Sequence, residues 1–299
     1  METQVQKVQK VLVHLSGGNA AAQCARFVQS ITGHFGGQDE TQVGCYLDNN
    51  RFILSQGAGQ RVPLKRPAFC PFKHLSVTQA AAIPLDVQDR GVDVGVAVIL
   101  QTTNQRVLLT RRAAGLRIFP GLWVPPGVCV CVCVCLVAAG LRELHEETGL
   151  EVEQNDVSPQ ILGLSCRYTH THTHTHTLTL TLTLTHSHKC VCVCVSQVCL
   201  RPDPAEVSAC LWVDRDLARS IVGGADGEEG GLQPPPPPVV RVTEVLPDGA
   251  LRGSLLPGAV LCARAPAEGP DVERVSTGTK YALGLWLDSL EQRKDKGRR

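Results

Sequence analysis

The spacing of apolar positions divides the chain into short strands, a few helices and two stretches that follow neither period. VQKVLVHL, 8–15, predicts a strand, and NAAAQCARFVQSITGHF, 19–35, spaces its apolar residues as a helix with Asn19 as its N-cap. TQVGCYLDNNRFILSQ, 41–56, reads strand, Asp-Asn-Asn turn, strand. VDVGVAVIL, 92–100, is an apolar run with the look of a buried strand, which Thr102–Gln105 turns and RVLLTRR, 106–112, returns as a hairpin. GLRIFPGLWVPPG, 115–127, is punctuated by Gly and Pro and predicts a loop. VAAGLRELHEET, 137–148, predicts a helix closed by Gly149 at its C-cap. LEVEQ, 150–154, and PQILGL, 159–164, read as strands. RPDPAEVSACLWVD, 201–214, gives a loop and then a strand, and DRDLARSIVGG, 214–224, a short helix. YALGLWLDSL, 281–290, is a helix whose Trp286 and leucines are expected to pack on a core.

The stretches that fit neither period are dipeptide repeats. Residues 129–135 read CVCVCVC, 169–185 read THTHTHTHTLTLTLTLT, and 190–194 read CVCVC. TGT-GTG repeated encodes Cys-Val and ACA-CAC repeated encodes Thr-His, the two strands of one TG/AC repeat. A change of CAC to CTC turns Thr-His into Thr-Leu. Gly127 is followed by a Val, whose codon begins GT as an intron donor does. Residues 129–135 and 169–195 are therefore read as a translated dinucleotide repeat from intron read-through or an error in the gene model. They are expected to be foreign to the fold, with low order or an arbitrary strand over 169–195. The competing reading, a thiolate or His metal tract, is disfavoured, because a period of 2 sets all the ligands on one face of a ribbon and converges no four of them tetrahedrally.

Composition sets limits. At 299 residues, 43% apolar and 19% charged, the chain is long enough for about two domains, each with a core. Its net charge of +1 gives no global electrostatic argument for nucleic acid or membrane binding. No apolar run is long enough to span a membrane, the N-terminus lacks a secretory pattern, and the C-terminal DKGRR is not a peroxisomal tripeptide. A cytoplasmic location is expected, with the peroxisome as the alternative. Seven of the 14 cysteines lie in the repeats; the other seven form no CxxC pair and read as scattered thiols in a reducing compartment. Cys70, Lys73 and His74 in FCPFKH read as structural.

The candidate chemistry sits in one helix. Glu143, Glu146 and Glu147 stand at i, i+3 and i+4 and share a face. An enclosed face of three carboxylates needs a positive counterpart, and Mg²⁺ pairs one or two carboxylates with substrate phosphates. Arg142 is adjacent and is placed to orient a glutamate. An ordinary solvated acidic face remains the alternative on spacing alone.

RELHEETGL, 142–150, resembles the second half of the Nudix box, matching it at Arg142, Glu143, Leu144, Glu146, Glu147, Gly149 and Leu150. GLWVPPG is similar to the approach to that box, and PAEVSACLW, with Glu206 six residues before Trp212, to the strand that follows it. In the N-terminal segment, VLVHL, CARFVQSITG and NNRFILSQ resemble an animal member of the family. The resemblance implies an α/β (α+β) fold: a three-layer α-β-α sandwich with a mixed sheet over 90–222, interrupted by 129–135 and 169–195. A small α/β module (1–85) precedes it; a Gly/Pro-rich linker (223–238) and an extension (239–299) follow. It implies a metal-dependent pyrophosphatase acting on a nucleoside diphosphate linked to another moiety. Mg²⁺ or Mn²⁺ would be held by Glu143, Glu146 and Glu147, with Arg142 holding a glutamate in place. Gly127 would let backbone approach the substrate, and Arg111 and Arg112 are phosphate contacts or, in the plainer reading, solvated charges at a strand end. The implied substrate is a nucleotide, with the methylguanosine cap of mRNA preferred and NAD(H) as alternative; no membrane association and no stable protein partner are inferred. The four-Cys zinc ribbon of NADH pyrophosphatases is absent. The family's first box positions, Gly and Glu, fall on Val128 and Val134 here. A catalytically impaired binding module, or a chain that does not fold, is therefore the third possibility.

Overall fold

In the computed structural model, residues 11–17, 21–66, 76–129, 135–169, 175–186, 199–224, 235–262 and 274–296 are described. The chain divides into two units: Met1–Val96, Val128–Ala139 and Gly163–Leu180, and Ala97–Gly127, Gly140–Leu162 and Thr181–Arg299.

The first unit is built on β1 (Leu12–Ser16), β2 (Gln23–Cys24), α1 (Ile31–His34), β3 (Glu40–Asp48), β4 (Arg51–Ser55), β5 (Gln60–Lys65), α2 (Val77–Ala81) and α3 (Leu85–Gln88). β3 and β4 form the expected hairpin, its turn made by Asn49 and Asn50 at φ of 45 and 63, the left-handed region asparagine tolerates. β4 lies parallel to β1 and β3 antiparallel to β5, in a core of Val13, Val43, Phe52, Leu54 and Leu64. The helix expected over 19–35 does not form. Gln23 and Cys24 pair with Leu15 and His14, and Ala25 N donates to Val13 O at 2.8 Å, so a strand edge takes those backbone groups. Only the last part is helical, as α1, capped by the Ser30 side chain rather than by Asn19, which lies outside the described residues. Cys70, Lys73 and His74 also lie outside them.

The chain continues through β6 (Asp93–Gln101), β7 (Val107–Arg112), β8 (Leu122–Val124), β9 (Gly127–Cys129), α4 (Leu136–Thr148), β10 (Val157–Thr169), β11 (Thr175–His186), β12 (Val207–Val213), α5 (Arg215–Gly223), β13 (Val239–Val245), β14 (Leu251–Pro257), α6 (Gly258–Cys262), β15 (Arg274–Val275) and α7 (Thr277–Lys296). The β6–β7 hairpin and α4 agree with expectation. LEVEQ is no strand: Leu150–Glu153 is irregular and leads into a short 3-10 turn, whereas PQILGL lies inside β10.

In the second unit the antiparallel order β14-β13-β12-β7 carries a layer on each face. Val107 and Leu109 of β7 and Ala209, Leu211 and Val213 of β12 share one core with Leu217 and Ile221 of α5 and Trp286 and Leu290 of α7. The alternate positions, Thr110, Arg112 and Cys210, lie on the other face. There the charges of Arg112 and Glu147 attract and Cys210 feels the Glu147 charge, which places α4 on that side. The result is the helix–sheet–helix sandwich of the α+β class. Trp286 lies in the core as expected and donates from Nε1 to Gln101 Oε1 at 2.7 Å. Of the second repeat block, Thr175–His186 is strand, with Leu178, Leu180 and Leu182 buried. The Thr-Leu alternation is a two-residue period, so it satisfies a pleated strand whatever its origin.

Candidate active site

α4 ends where the sequence places its stop. Gly149 has φ of +69 and its N–H donates to His145 O at 2.7 Å. A Cβ there would stand 2.6 Å from Arg201 Cβ, and Arg201 N donates to Thr148 O at 2.8 Å. The Thr148 hydroxyl donates back to Leu144 O, and Leu144 itself is fully buried. The end of the helix is thus held by backbone that no other residue at 149 fits without strain.

The three glutamates do not share one environment. Glu143 and Glu147, four apart, face inward with 8% and 6% of their surface exposed; Glu146 points outward. The solvated acidic face is therefore excluded for two of the three. Arg142 links the two kinds: its Nη2 lies 2.9 Å from Glu143 Oε1 and its Nε 3.6 Å from Glu146 Oε1. Burial pushes the Glu143 carboxyl up, against the Arg142 hydrogen bond, which pulls it down. Burial pushes Glu147 up to about 8; the Gly127 amide and Arg112 oppose this, and Glu206 and Glu143 add to it. Glu147 Oε2 is buried and has no hydrogen-bond partner. An acceptor in that state is costly unless something positive meets it.

The other expected residues separate. Gly127 is at the site, but its amide serves Glu147. Arg112 is there too: its Nε donates to Ile118 O at 3.1 Å and its charge acts on Glu147 and Glu206. Arg111, one residue away and on the opposite face, donates to Ser208 Oγ at 2.9 Å and lies 5.7 Å above the Trp123 ring. Two members were not singled out by spacing. Glu206 adds a carboxylate from the start of β12, next to a β-bulge between Val207 and Ala209, and the buried Cys210 thiol is pushed up to about 12 by burial and then by Glu147. Glu206 is far from the box in sequence, so only its place six residues before Trp212 marked it.

Among the described residues no three His, Cys, Asp or Glu side chains converge as a ready metal cage. The donor chemistry nonetheless fits a hard divalent cation. It is all carboxylate, it carries surplus negative charge, and one buried oxygen lacks a partner. Mg²⁺ takes one or two carboxylates and completes its shell with water and substrate phosphate, so a full protein cage is not required.

A family model described as the NUDIX domain matches residues 90–228. The zebrafish (Danio rerio) protein named m7GpppN-mRNA hydrolase NUDT17 is 50% identical over 98% of this chain and 100% of its own length. Its Xenopus laevis namesake is 43% identical over 96% of this chain and 97% of its own length. The Homo sapiens namesake is 39% identical over 94% of this chain and 88% of its own.

Proposed function

The chain belongs to the Nudix hydrolase family, and on that premise we propose that it hydrolyses the phosphoanhydride linkage in the 7-methylguanosine cap of mRNA. Relatives matching nearly the whole chain carry that activity in their names, which supports the substrate. One observation carries the chemistry: the buried, unpartnered Glu147 oxygen on the helix that also turns Glu143 inward.

Nudix hydrolases use divalent metal ions; the ion proposed here is Mg²⁺ or Mn²⁺, held by Glu143, Glu146 and Glu147 with Glu206 adding its charge. Bound there, the ion neutralises phosphate charge and lowers the pKa of the attacking water. Arg142 fixes the spacing of Glu143 and Glu146 through its two contacts. The Gly127 amide holds one Glu147 oxygen, and the other, buried and without a hydrogen-bond partner, would be the one to meet the ion. Arg112, whose charge acts on Glu147 and Glu206, is the phosphate contact of the proposal. Arg111, held by Ser208 and Trp123, has no part in it. A cytoplasmic site of action suits the buried thiols Cys45 and Cys210, which form no disulfide. No helix of the described residues is long and apolar enough to cross a membrane.

A second reading, a binding module with impaired catalysis, is favoured by Val128 and Val134 at the two lost box positions. One experiment separates the readings. The chain is freed of metal and given capped RNA or NADH, with and without Mg²⁺ or Mn²⁺, and the released nucleotide is measured. Metal-dependent release of methylated guanine nucleotide is expected. Binding of capped RNA with no release at any metal concentration would replace the hydrolase with the binding module.

A further inference from the structure

We infer that Phe119 is the ring on which the N7-methylated guanine of a capped RNA stacks; this rests on the cap reading above. Methylation at N7 leaves that guanine with a delocalised positive charge, and a cation of this kind is held by an aromatic face. The second unit has few faces to offer: its aromatic residues are Phe119, Trp123, Trp212, Tyr281 and Trp286. Trp123 and Trp286 are fully buried, and Trp123 already lies under Arg111. Tyr281 belongs to α7, in the layer formed with α5 on the sheet face away from Glu147. Trp212 pairs with Leu108, beyond Cys210 in the direction leading away from Arg112. Phe119 is half-buried, between Ile118 and the exposed Pro120.

The loop that carries Phe119 is tied to the acidic cluster. Arg112 Nε donates to Ile118 O at 3.1 Å, and Gly121 N donates to Arg112 O at 3.0 Å, so both sides of Phe119 are fastened to one residue. That residue's guanidinium is the one whose charge acts on Glu147 and Glu206. A single side chain thus separates the Phe119 peptide from the carboxylates, as a base-binding ring requires when the scissile phosphates are joined to that base. Phe119 also has φ of +54. Bulky residues avoid that region, and backbone held in it clusters at ligand clamps and active sites. The two hydrogen bonds on either side hold the loop backbone at Phe119 in this conformation.

The test compares the full chain with Phe119→Leu and Phe119→Tyr on the dinucleotide caps m7GpppG and GpppG. Leu keeps apolar bulk and the same backbone strain but removes the π face; Tyr keeps the face. Equilibrium binding without metal is measured first, then kcat and KM with Mn²⁺. The unaltered chain is expected to prefer the methylated cap on the order of tenfold in binding. Phe119→Leu is expected to bring the ratio near one through KM for the methylated cap, with kcat and the GpppG values within about twofold. Phe119→Tyr is expected to retain the preference. A Leu variant that keeps the full preference, or an unaltered chain that binds both caps equally, overturns the inference. The cap reading fails separately: a Phe119-dependent preference without cleavage of either cap removes hydrolysis and leaves the stacking ring in place.

Discussion

A carboxylate that is 6% exposed, with one oxygen unpartnered, is costly to ionise with no cation against it. In chelated protein, burial holds the folded Glu147 carboxyl at about 8, above its ordinary 4.5. The folded state then binds more protons than the unfolded one between those values. Its contribution to stability is complete below about pH 4.5 and is lost as pH rises through about 8. Thermal melts of chelated protein should therefore fall in midpoint from pH 5 to 8, and Glu147→Gln should flatten that slope; an unchanged slope contradicts the buried acid. Catalysis gives a second expectation. In a version with Gly and Glu restored at 128 and 134, Glu146→Gln and Glu147→Gln should each lower metal-dependent turnover by roughly tenfold to 100-fold, while exposed His145 should tolerate Ala. Full metal-dependent activity in both Gln variants would remove α4 from the mechanism. The spacing of 143, 146 and 147 was readable as one helix face. That 143 and 147 turn inward while 146 turns outward was not, because the sheet behind the helix, absent from a helical period, decides it.

At the scale of elements, local chemistry was legible where it acts over a few residues. The Asn49-Asn50 turn, the 102–105 turn and the Gly149 stop all stand where turn and cap residues place them. Long-range pairing was not legible. Residues 23–25 have helical spacing yet pair with β1, and β5 runs through Pro63, which on sequence argues against a strand. α4 lends itself to a direct test. Leu144 is fully buried, so Leu144→Ala should cost about 2–5 kcal/mol, read from denaturant midpoints. Gly149→Ala should also destabilise, since its Cβ would meet Arg201 at 2.6 Å with φ at +69. Near-neutral values for both would mean that α4 is not packed as described.

At the scale of the whole molecule, the chain combines a Nudix-like helix with the right ending and a box with the wrong beginning. Val128 and Val134 stand where the Nudix pattern has Gly and Glu, and 134 falls in the Cys-Val tract. The second tract is tolerated more easily, since its Thr-Leu half forms β11 and buries leucines. Composition matters there, not identity. In the proposed mechanism the first tract is different in kind, because a catalytic loop there would need particular atoms: a carboxylate, and backbone freedom that valine lacks. This predicts an order of activity. Val128→Gly with Val134→Glu should raise metal-dependent cap hydrolysis above that of the chain as it stands. Val128→Gly with Val134→Gln should not, since it restores the shape without the charge. The measurement is single-turnover release of methylated guanine nucleotide across a Mn²⁺ titration. The Glu variant should saturate at lower Mn²⁺ as well as turn over faster, because an added carboxylate tightens the ion before it affects any later step. Equal metal dependence and equal rates for the Glu and Gln variants would show that position 134 is no part of the site, and that Glu143, Glu146, Glu147 and Glu206 supply all the charge it uses.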